Sequence, residues 1–278
     1  MKLRFVCALA VAALSGPAAF AGEVVVFHAD SLAGPMKALK AAFEAKQPGV
    51  NIQLNSGVSK QLAERILNGD TCDVFAPSSP PVIDVDLMDK PVAGSGKPGA
   101  TWYVVFSANE MAVIVAKGNP KGIAHALDLA KPGVRFARVT SEKDLATSRT
   151  VEFLKRATTL EGDAAAGPRL VDGAIGVTNI PEAVSAVKEG KADASVVYFS
   201  AAVAAKDSVD VVRFPASVNL SEAIRNAATV PGTAANAVEA TAFVAFLVTP
   251  AAQEILMSTG QPPVVPAVRK GAVPAEVK

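Results

Sequence analysis

The chain has few of the residue types that hold metals, bind sugars or form disulfides. Its 278 residues include two cysteines, two histidines, one tryptophan and two tyrosines. A histidine metal site and an aromatic platform for a sugar are therefore poor expectations. Cys7 lies in a segment expected to be removed, so Cys72 would remain alone, without an internal disulfide. We interpret Cys72 as a buried or half-buried thiol and not as a nucleophile.

An excess of charge is also missing. The formal net charge is +1 at pH 7, and it becomes −1 when Lys2 and Arg4 are removed with the N-terminal segment. No strong overall field would attract nucleic acid or anionic lipid, so we expect neither as a partner.

The first 21 residues have the pattern of a secretory signal. Lys2 and Arg4 give it a positive start, residues 5–14 form an apolar run, and Ala19-Phe20-Ala21 is a small-x-small cleavage pattern. The apolar run is too short to span a membrane, and no later run is long and charge-free enough to do so. We expect an exported, soluble, periplasmic protein that begins at Gly22.

The stretch from Val24 to Lys46 changes from a strand pattern to a helix pattern at a serine. Residues 23–27 are mostly β-branched and apolar, and from Leu32 to Phe43 apolar residues recur at helical spacing. The first amides of a helix have no intrahelical acceptor and lie at the positive end of its macrodipole. Ser31 therefore marks a predicted anion-binding helix start.

Three more polar loops precede predicted helices. Ser59 is placed as the N-cap of one helix, and residues 140–148 precede another. Asn179 and Glu182 are close to a capping box at the start of a third helix, which has Pro181 in its first turn. Tyr198 ends a further predicted strand. Because ligands bind outside the carboxyl ends of parallel strands, we expect these loops to converge on one small oxyanion held by neutral donors.

The alternation of strands and helices predicts an α/β fold with two lobes, each a mostly parallel sheet flanked by helices. Two apolar runs around residues 107–110 are interpreted as the crossing between lobes. The first lobe would comprise 22–106 and 225–278, and the second lobe 107–224. Helices at about 237–260, with a break near Pro250, and a proline-rich tail would complete the first lobe.

The chain resembles the type II periplasmic solute-binding proteins of the molybdate/tungstate-binding family over nearly all of its expected mature length. The matching stretches are 27–32, 59–76, 102–110, 132–136, 197–198 and 243–256. The last of these is specific only for the wider superfamily of binding proteins. Ser31, Tyr198 and the 102–110 stretch favour this family and lean toward its tungstate-binding branch.

The resemblance implies a ligand site and a role in transport. Ser31 and Ser59 would donate from the first lobe, Ala146 and Ile180 would offer amides from the second, and Tyr198 would donate its hydroxyl. The ligand would be molybdate or tungstate, with no resident cofactor and no metal other than that of the oxyanion. We expect a monomer that delivers its ligand to an ABC permease.

Some positions stay open at this point. The Ser59 contact could fall on Ser56 or Val58. Family members with a six-coordinate mode add two carboxylates, one near Asp144 and the other where this chain has Val197. That mode is therefore incomplete here, and Asp144 is interpreted as a helix cap. Arg149 could reach the pocket or a surface carboxylate, which leaves sulfate, thiosulfate, phosphate or a small organic anion as alternative ligands.

A secreted hydrolase that uses His28, Asp30 and Ser31 is the alternative from another class. The three residues are nearly adjacent, so they cannot easily line up as nucleophile, base and orienting group, and the chain has no G-x-S-x-G motif. We therefore expect a binding protein and not an enzyme, with His28 as a half-buried strand-end residue and Asp30 as a turn residue.

Overall fold

The computed structural model describes residues 22–278 of the chain. The secretory signal predicted for residues 1–21 lies outside the described residues. Within the described range, no single helix has the length and apolar character needed to cross a membrane, and one bent helix pair meets that test by length and composition only.

The described chain begins with alternating strands and helices. In order these are β1 (Glu23–Ala29), α1 (Ala33–Lys46), β2 (Asn51–Gly57), α2 (Ser59–Leu67), β3 (Val74–Ala76), α3 (Pro80–Asp86) and β4 (Trp102–Ala108). A 3-10 turn at Asp30–Leu32 joins β1 to α1. β1 pairs in parallel with β2 on one side and β3 on the other, as the strand–helix–strand order predicts.

The middle of the chain forms the second lobe. Its elements are β5 (Met111–Ala116), a 3-10 turn (Ala126–Ala130), β6 (Phe136–Val139), α4 (Leu145–Leu160), α5 (Ala166–Gly173), β7 (Ile175–Val177), α6 (Ile180–Lys188), β8 (Ala194–Tyr198), α7 (Phe199–Ala204), β9 (Val209–Val212) and α8 (Ala216–Asn219). The strands form one sheet in the order β7-β6-β8-β5-β9. β6 is parallel to β7 and β8, whereas β5 is antiparallel to β8 and β9.

The last part of the chain returns to the first lobe. It contains β10 (Arg225–Ala228), α9 (Ala237–Leu247), α10 (Pro250–Ser258), β11 (Pro263–Gly271) and a 3-10 turn (Ala275–Val277). β10 and β11 pair antiparallel with the two sides of β4, and a bridge between Phe75 and Thr229 joins this sheet to the parallel strands. β4 continues past the predicted boundary at residue 106, and the chain crosses at Asn109 and Glu110.

Each lobe has its own hydrophobic core. In the first lobe, Val24 and Val26 of β1 face a core that includes Phe243, whereas Phe27 belongs to a core on the other face with Phe75. This division follows from the alternation of side chains along a strand. A separate core surrounds the five-stranded sheet of the second lobe. The cleft between the lobes therefore separates two independently packed units.

A buried carboxylate ties together the amino-terminal ends of the parallel strands. Asp73, just before β3, is fully buried. Its carboxylate accepts hydrogen bonds from the amides of Val25 at 2.8 Å, Ala235 at 2.8 Å and Asn236 at 2.7 Å. One side chain thus joins β1, β3 and the loop before α9 at the edge opposite Ser31.

Several elements differ from their predicted positions. Pro80 and Pro81 open α3, where the sequence pattern predicts no helix, because proline is tolerated in a first helical turn. α4 begins at Leu145, earlier than predicted, because Asp144 caps it. The proline-rich tail contains β11, an edge strand in which missing amide donors are tolerated. The short helices α5, α7 and α8 are not among the predicted elements.

Candidate functional site

A small cavity lies between the lobes, and both contribute to its wall. The lining residues are Ala29, Asp30, Ser31, Gly57, Val58, Ser59 and Ser78 of the first lobe, and Asp144, Leu145, Ile180 and Tyr198 of the second. The centre of a water-sized sphere can move through about 10 Å³ of the cavity. A space of this size suits a compact ligand of a few atoms and not a sugar or a peptide.

The first-lobe wall is formed at the carboxyl ends of the parallel strands. Ala29 ends β1, Gly57 ends β2, and Ser78 follows β3 by two residues. Parallel pairing brings these ends to one edge of the sheet, which is where open α/β sheets bind ligands.

Ser31 has a buried hydroxyl with no partner. The residue is 3% exposed, and its Oγ makes no hydrogen bond. A buried hydroxyl without a partner costs about 1 to 3 kcal/mol. Its backbone is held firmly, because the Ser31 carbonyl accepts hydrogen bonds from Ser200 Oγ at 2.6 Å and from Gln261 Nε2 at 3.2 Å. The loop is therefore fixed while the hydroxyl stays available to a ligand.

Ser59 lines the cavity but is not the helix cap that the sequence suggests. Val58 is the N-cap of α2, without a side-chain cap bond, and Ser59 is the first helical residue. Ser59 Oγ accepts a hydrogen bond from the Ser78 amide at 3.3 Å, so its own proton remains free for a ligand. Of the neighbouring alternatives, Val58 lines the cavity, whereas Ser56 donates its hydroxyl to Asp30.

Ile180 and Tyr198 form part of the second-lobe wall. Ile180 begins α6 after the cap residue Asn179, whose Oδ1 accepts a hydrogen bond from the Glu182 amide at 2.9 Å. The expected capping box is half formed, since the Glu182 carboxylate accepts from Thr178. Tyr198 ends β8 and is 2% exposed.

Ala146 is the only one of the five predicted site residues that does not line the cavity. It is fully buried, and its amide donates a hydrogen bond to Asp144 Oδ1 at 2.8 Å. Asp144 and Leu145 occupy the cavity wall at this helix start. The expectation that Asp144 caps the helix is confirmed, and this cap engages the Ala146 amide.

Two carboxylates, Asp30 and Asp144, also line the cavity, one from each lobe. The pKa of Asp144 is raised above its usual value, first by burial and also by the negative charge of Asp30. The Ala146 amide and the Arg149 guanidinium oppose this rise. From the sequence, Asp144 is interpreted as a helix cap and Asp30 as a turn residue, and only the folded chain shows that both line the cavity.

Arg149, near the start of α4, reaches toward the cavity and not toward a surface carboxylate. Its Nη1 donates a hydrogen bond to Tyr198 Oη at 2.7 Å, and its Nη2 donates to the Ser78 carbonyl at 2.8 Å. Tyr198 belongs to the same lobe as Arg149, whereas Ser78 belongs to the first lobe. The guanidinium group therefore connects the lobes beside the cavity.

The residues considered for hydrolysis do not form a proton relay. His28 is buried with its Nδ1 2.9 Å from the Ala29 carbonyl oxygen, and burial lowers its pKa. Because Ser31 Oγ has no hydrogen-bond partner, neither His28 nor Asp30 is placed to take its proton. Within residues 22–278, no group of three or more His, Cys, Asp or Glu residues is arranged to hold a metal ion.

Sequence comparison shows the family. The family model described as bacterial extracellular solute-binding protein matches residues 24–261. The chain belongs to this family of solute-binding proteins. The matched range, residues 24–261, contains both crossings between the lobes and every residue that lines the cavity.

A curated relative of this solute-binding protein is the molybdate-binding protein ModA of Mycobacterium tuberculosis. The two are 31% identical over 201 residues, which cover 72% of this chain and 70% of the relative. The family is one of binding proteins, as expected from the sequence.

Solved structures of other binding proteins share the fold. The periplasmic molybdate-binding protein of Azotobacter vinelandii aligns with a TM-score of 0.67 at 19% identity, over 87% of this chain and 99% of its own. The sulfate-binding protein SubI of Mycobacterium tuberculosis aligns with a TM-score of 0.68 at 22% identity, over 88% of each chain. These alignments confirm the predicted two-lobe α/β fold of type II binding proteins, in which antiparallel pairings accompany the parallel ones.

Proposed function

We propose that this protein captures molybdate or tungstate between its lobes and presents the oxyanion to an ABC permease, acting as a monomer in the periplasm. The observation that carries the proposal is the Ser31 hydroxyl, which is buried without a partner in a small cavity between the lobes. The 31% identity to a molybdate-binding protein supports the choice of ligand.

The donor set of the cavity suits a compact tetrahedral anion. Hydroxyls of Ser31, Ser59, Ser78 and Tyr198 line it, together with the helix starts at Leu145 and Ile180. Each hydrogen bond to a charged ligand contributes about 1.5 to 3 kcal/mol, so a few such bonds can replace the hydration of an oxyanion. Donors on different walls also favour a ligand with oxygens pointing in several directions.

Ligand capture would work by closure of the lobes. The closed arrangement already contains the Arg149–Ser78 bond and an ion pair between Lys143 and Glu64 at 2.8 Å, which join the two lobes. An oxyanion that contacts Ser31 and Tyr198 together gains its full set of bonds only in this state. Binding would therefore shift an open-to-closed equilibrium toward the closed form.

The first test is thermal unfolding with added oxyanions. Molybdate or tungstate at 100 times its dissociation constant should raise the free energy of unfolding by about 2.7 kcal/mol, because it binds only the folded state. Calorimetric titration would then give the affinity directly. The absence of any shift in the unfolding temperature with either anion at saturating concentration would contradict the proposal.

Sulfate, thiosulfate, phosphate or a small organic anion is the second candidate ligand. Asp30 and Asp144 line the cavity, and a carboxylate can accept a hydrogen bond from a ligand that carries a proton, as phosphate does near neutral pH and sulfate does not. Competition of each anion against bound tungstate separates the two candidates. Displacement by phosphate or sulfate at concentrations similar to those of molybdate would favour the second.

The affinity for tungstate should depend on pH through Asp144. A bound dianion beside Asp144 further favours the neutral carboxyl, so binding is coupled to proton uptake. We expect the affinity to rise as the pH falls from neutral toward the titration range of Asp144, by at most about tenfold per pH unit for one linked proton. Calorimetry in buffers with different ionisation enthalpies counts the proton.

The matched control is Asp144→Asn, which retains an oxygen that can accept from the Ala146 amide. Its binding should lose the proton uptake and most of the pH dependence. An affinity of the unchanged protein that stays constant over this range would rule out the coupling.

A further inference from the structure

Arg149 makes two kinds of contact beside the cavity. The bond from Nη1 to Tyr198 Oη, at 2.7 Å, lies within the second lobe, between α4 and the end of β8. The bond from Nη2 to the Ser78 carbonyl, at 2.8 Å, crosses to the first lobe. The first contact can therefore persist when the lobes open, whereas the second requires closure.

The hydrogen bond between Arg149 and Tyr198 fixes whether the tyrosine hydroxyl donates or accepts. A guanidinium group has only donors, so in this bond Tyr198 Oη must accept. The tyrosine proton is then left for another acceptor, and Tyr198 itself lines the cavity. Ser78 Oγ lies 3.5 Å from Arg149 Nη1 and is also a hydrogen-bonding neighbour of the Tyr198 hydroxyl. A bound anion is a stronger acceptor than a serine hydroxyl and would accept the hydrogen bond that the Tyr198 hydroxyl donates.

We propose that Arg149 is a positioning residue that fixes the Tyr198 hydroxyl as a donor into the cavity and links this donor to lobe closure through the Ser78 carbonyl. This inference rests on the proposed function for the nature of the ligand. Arg149 is not among the residues that line the cavity. Its hydrogen bonds to Tyr198 and Ser78 would therefore carry its directional effect on the ligand, beside the charge that also acts on Asp144.

The helix α4 does not need Arg149 to stabilise its start. The start of α4 is capped by the Asp144 side chain, and the helix continues for 16 residues. Arg156 on the same helix pairs instead with Glu152 at 2.8 Å and Glu222 at 2.6 Å, at the surface. Arg156 is therefore a matched control for the loss of one arginine from α4.

The first experiment is a double-mutant cycle read by calorimetric titration with tungstate and molybdate. Arg149→Met should weaken binding about tenfold in the unchanged protein, because the tyrosine donor is no longer oriented. In a Tyr198→Phe background the same change should weaken binding no more than about twofold to threefold, since no hydroxyl remains to be oriented and only the charge of Arg149 is lost. Arg156→Met should leave the affinity unchanged in both backgrounds. Equal losses for Arg149→Met in both backgrounds would overturn the proposal.

The second experiment needs no ligand. The chain contains only two tyrosines, so protein labelled with ¹³C at the tyrosine ring carbon that bears the hydroxyl gives two NMR signals. Tyr103→Phe assigns them. Arg149→Met should shift the Tyr198 signal and leave the Tyr103 signal in place, while Arg156→Met should shift neither.

The two experiments separate the two proposals. If the unchanged protein binds none of the anions, the proposed function fails, and the Tyr198 signal still shows whether Arg149 holds this hydroxyl. A Tyr198 signal that does not respond to Arg149→Met would overturn the role of Arg149, even if tungstate binds tightly.

Discussion

Replacing Ser31 by alanine is expected to weaken the binding of molybdate or tungstate about 10- to 100-fold while leaving the fold intact, as one hydrogen bond to a charged ligand contributes about 1.5 to 3 kcal/mol. The Ser31 hydroxyl is buried in the cavity without a protein partner. Its removal therefore breaks no bond in the ligand-free protein. Calorimetric titration gives the affinity, and thermal unfolding without ligand checks the fold.

Ser195 provides a matched control for this change. Its hydroxyl is also buried without a partner, but it lies in β8 inside the second lobe and does not line the cavity. Ser195→Ala should keep the affinity of the unchanged protein. If both variants bind equally, whether tightly or weakly, the Ser31 hydroxyl has no special role at the site.

Replacing Asp73 by alanine is expected to lower the free energy of unfolding by about 3 kcal/mol, since each hydrogen bond to a charged group contributes about 1.5 to 3 kcal/mol and water can reach part of the freed donors. Three amides lose their acceptor in this variant. For a chain of this length, about 3 kcal/mol corresponds to a fall of roughly 6 to 12 °C in the unfolding temperature. Chemical denaturation gives the free energy, and calorimetry gives the temperature.

The nearby Asp70 is the control for Asp73. It pairs with Arg65 at 2.8 Å, and both side chains are more than two-fifths exposed. Such a surface pair is worth less than about 1 kcal/mol, so Asp70→Ala should change the stability little. Equal losses for the two variants would mean that the buried carboxylate is not what joins β1, β3 and the loop before α9. The Asp73 variant that remains folded should still bind oxyanion, because the cavity lies at the opposite edge of the sheet.

The elements around the site were largely predictable because their signals are local. The apolar pattern of β1, the cap residue Asn179 and the Pro181 of α6 depend on neighbours within a few positions. The same holds for the break between α9 and α10 at Pro250. Short helices such as α7 were missed, since six residues hold too few turns to show a period.

The composition of the cavity was predictable only in part. Four of the five predicted residues line it, because each stands at a strand end or a helix start that local patterns reveal. Ala146 does not, since the Asp144 cap engages its amide. The sequence did not place Asp30 or Ser78 at the cavity. A turn residue and a serine after a strand have the same local sequence pattern whether they face a cavity or solvent.

The local sequence thus determined which residues begin and end the helices and strands, because backbone preference and capping act over a few residues. Folding in three dimensions decided which of those ends share one cavity. Ser31 and Tyr198 are distant in sequence, and only the packing of two separate cores brings the hydroxyls of both to one cleft. The contact of Arg149 with Tyr198 and Ser78 has the same origin, since a long side chain can point in many directions until neighbouring elements restrict it.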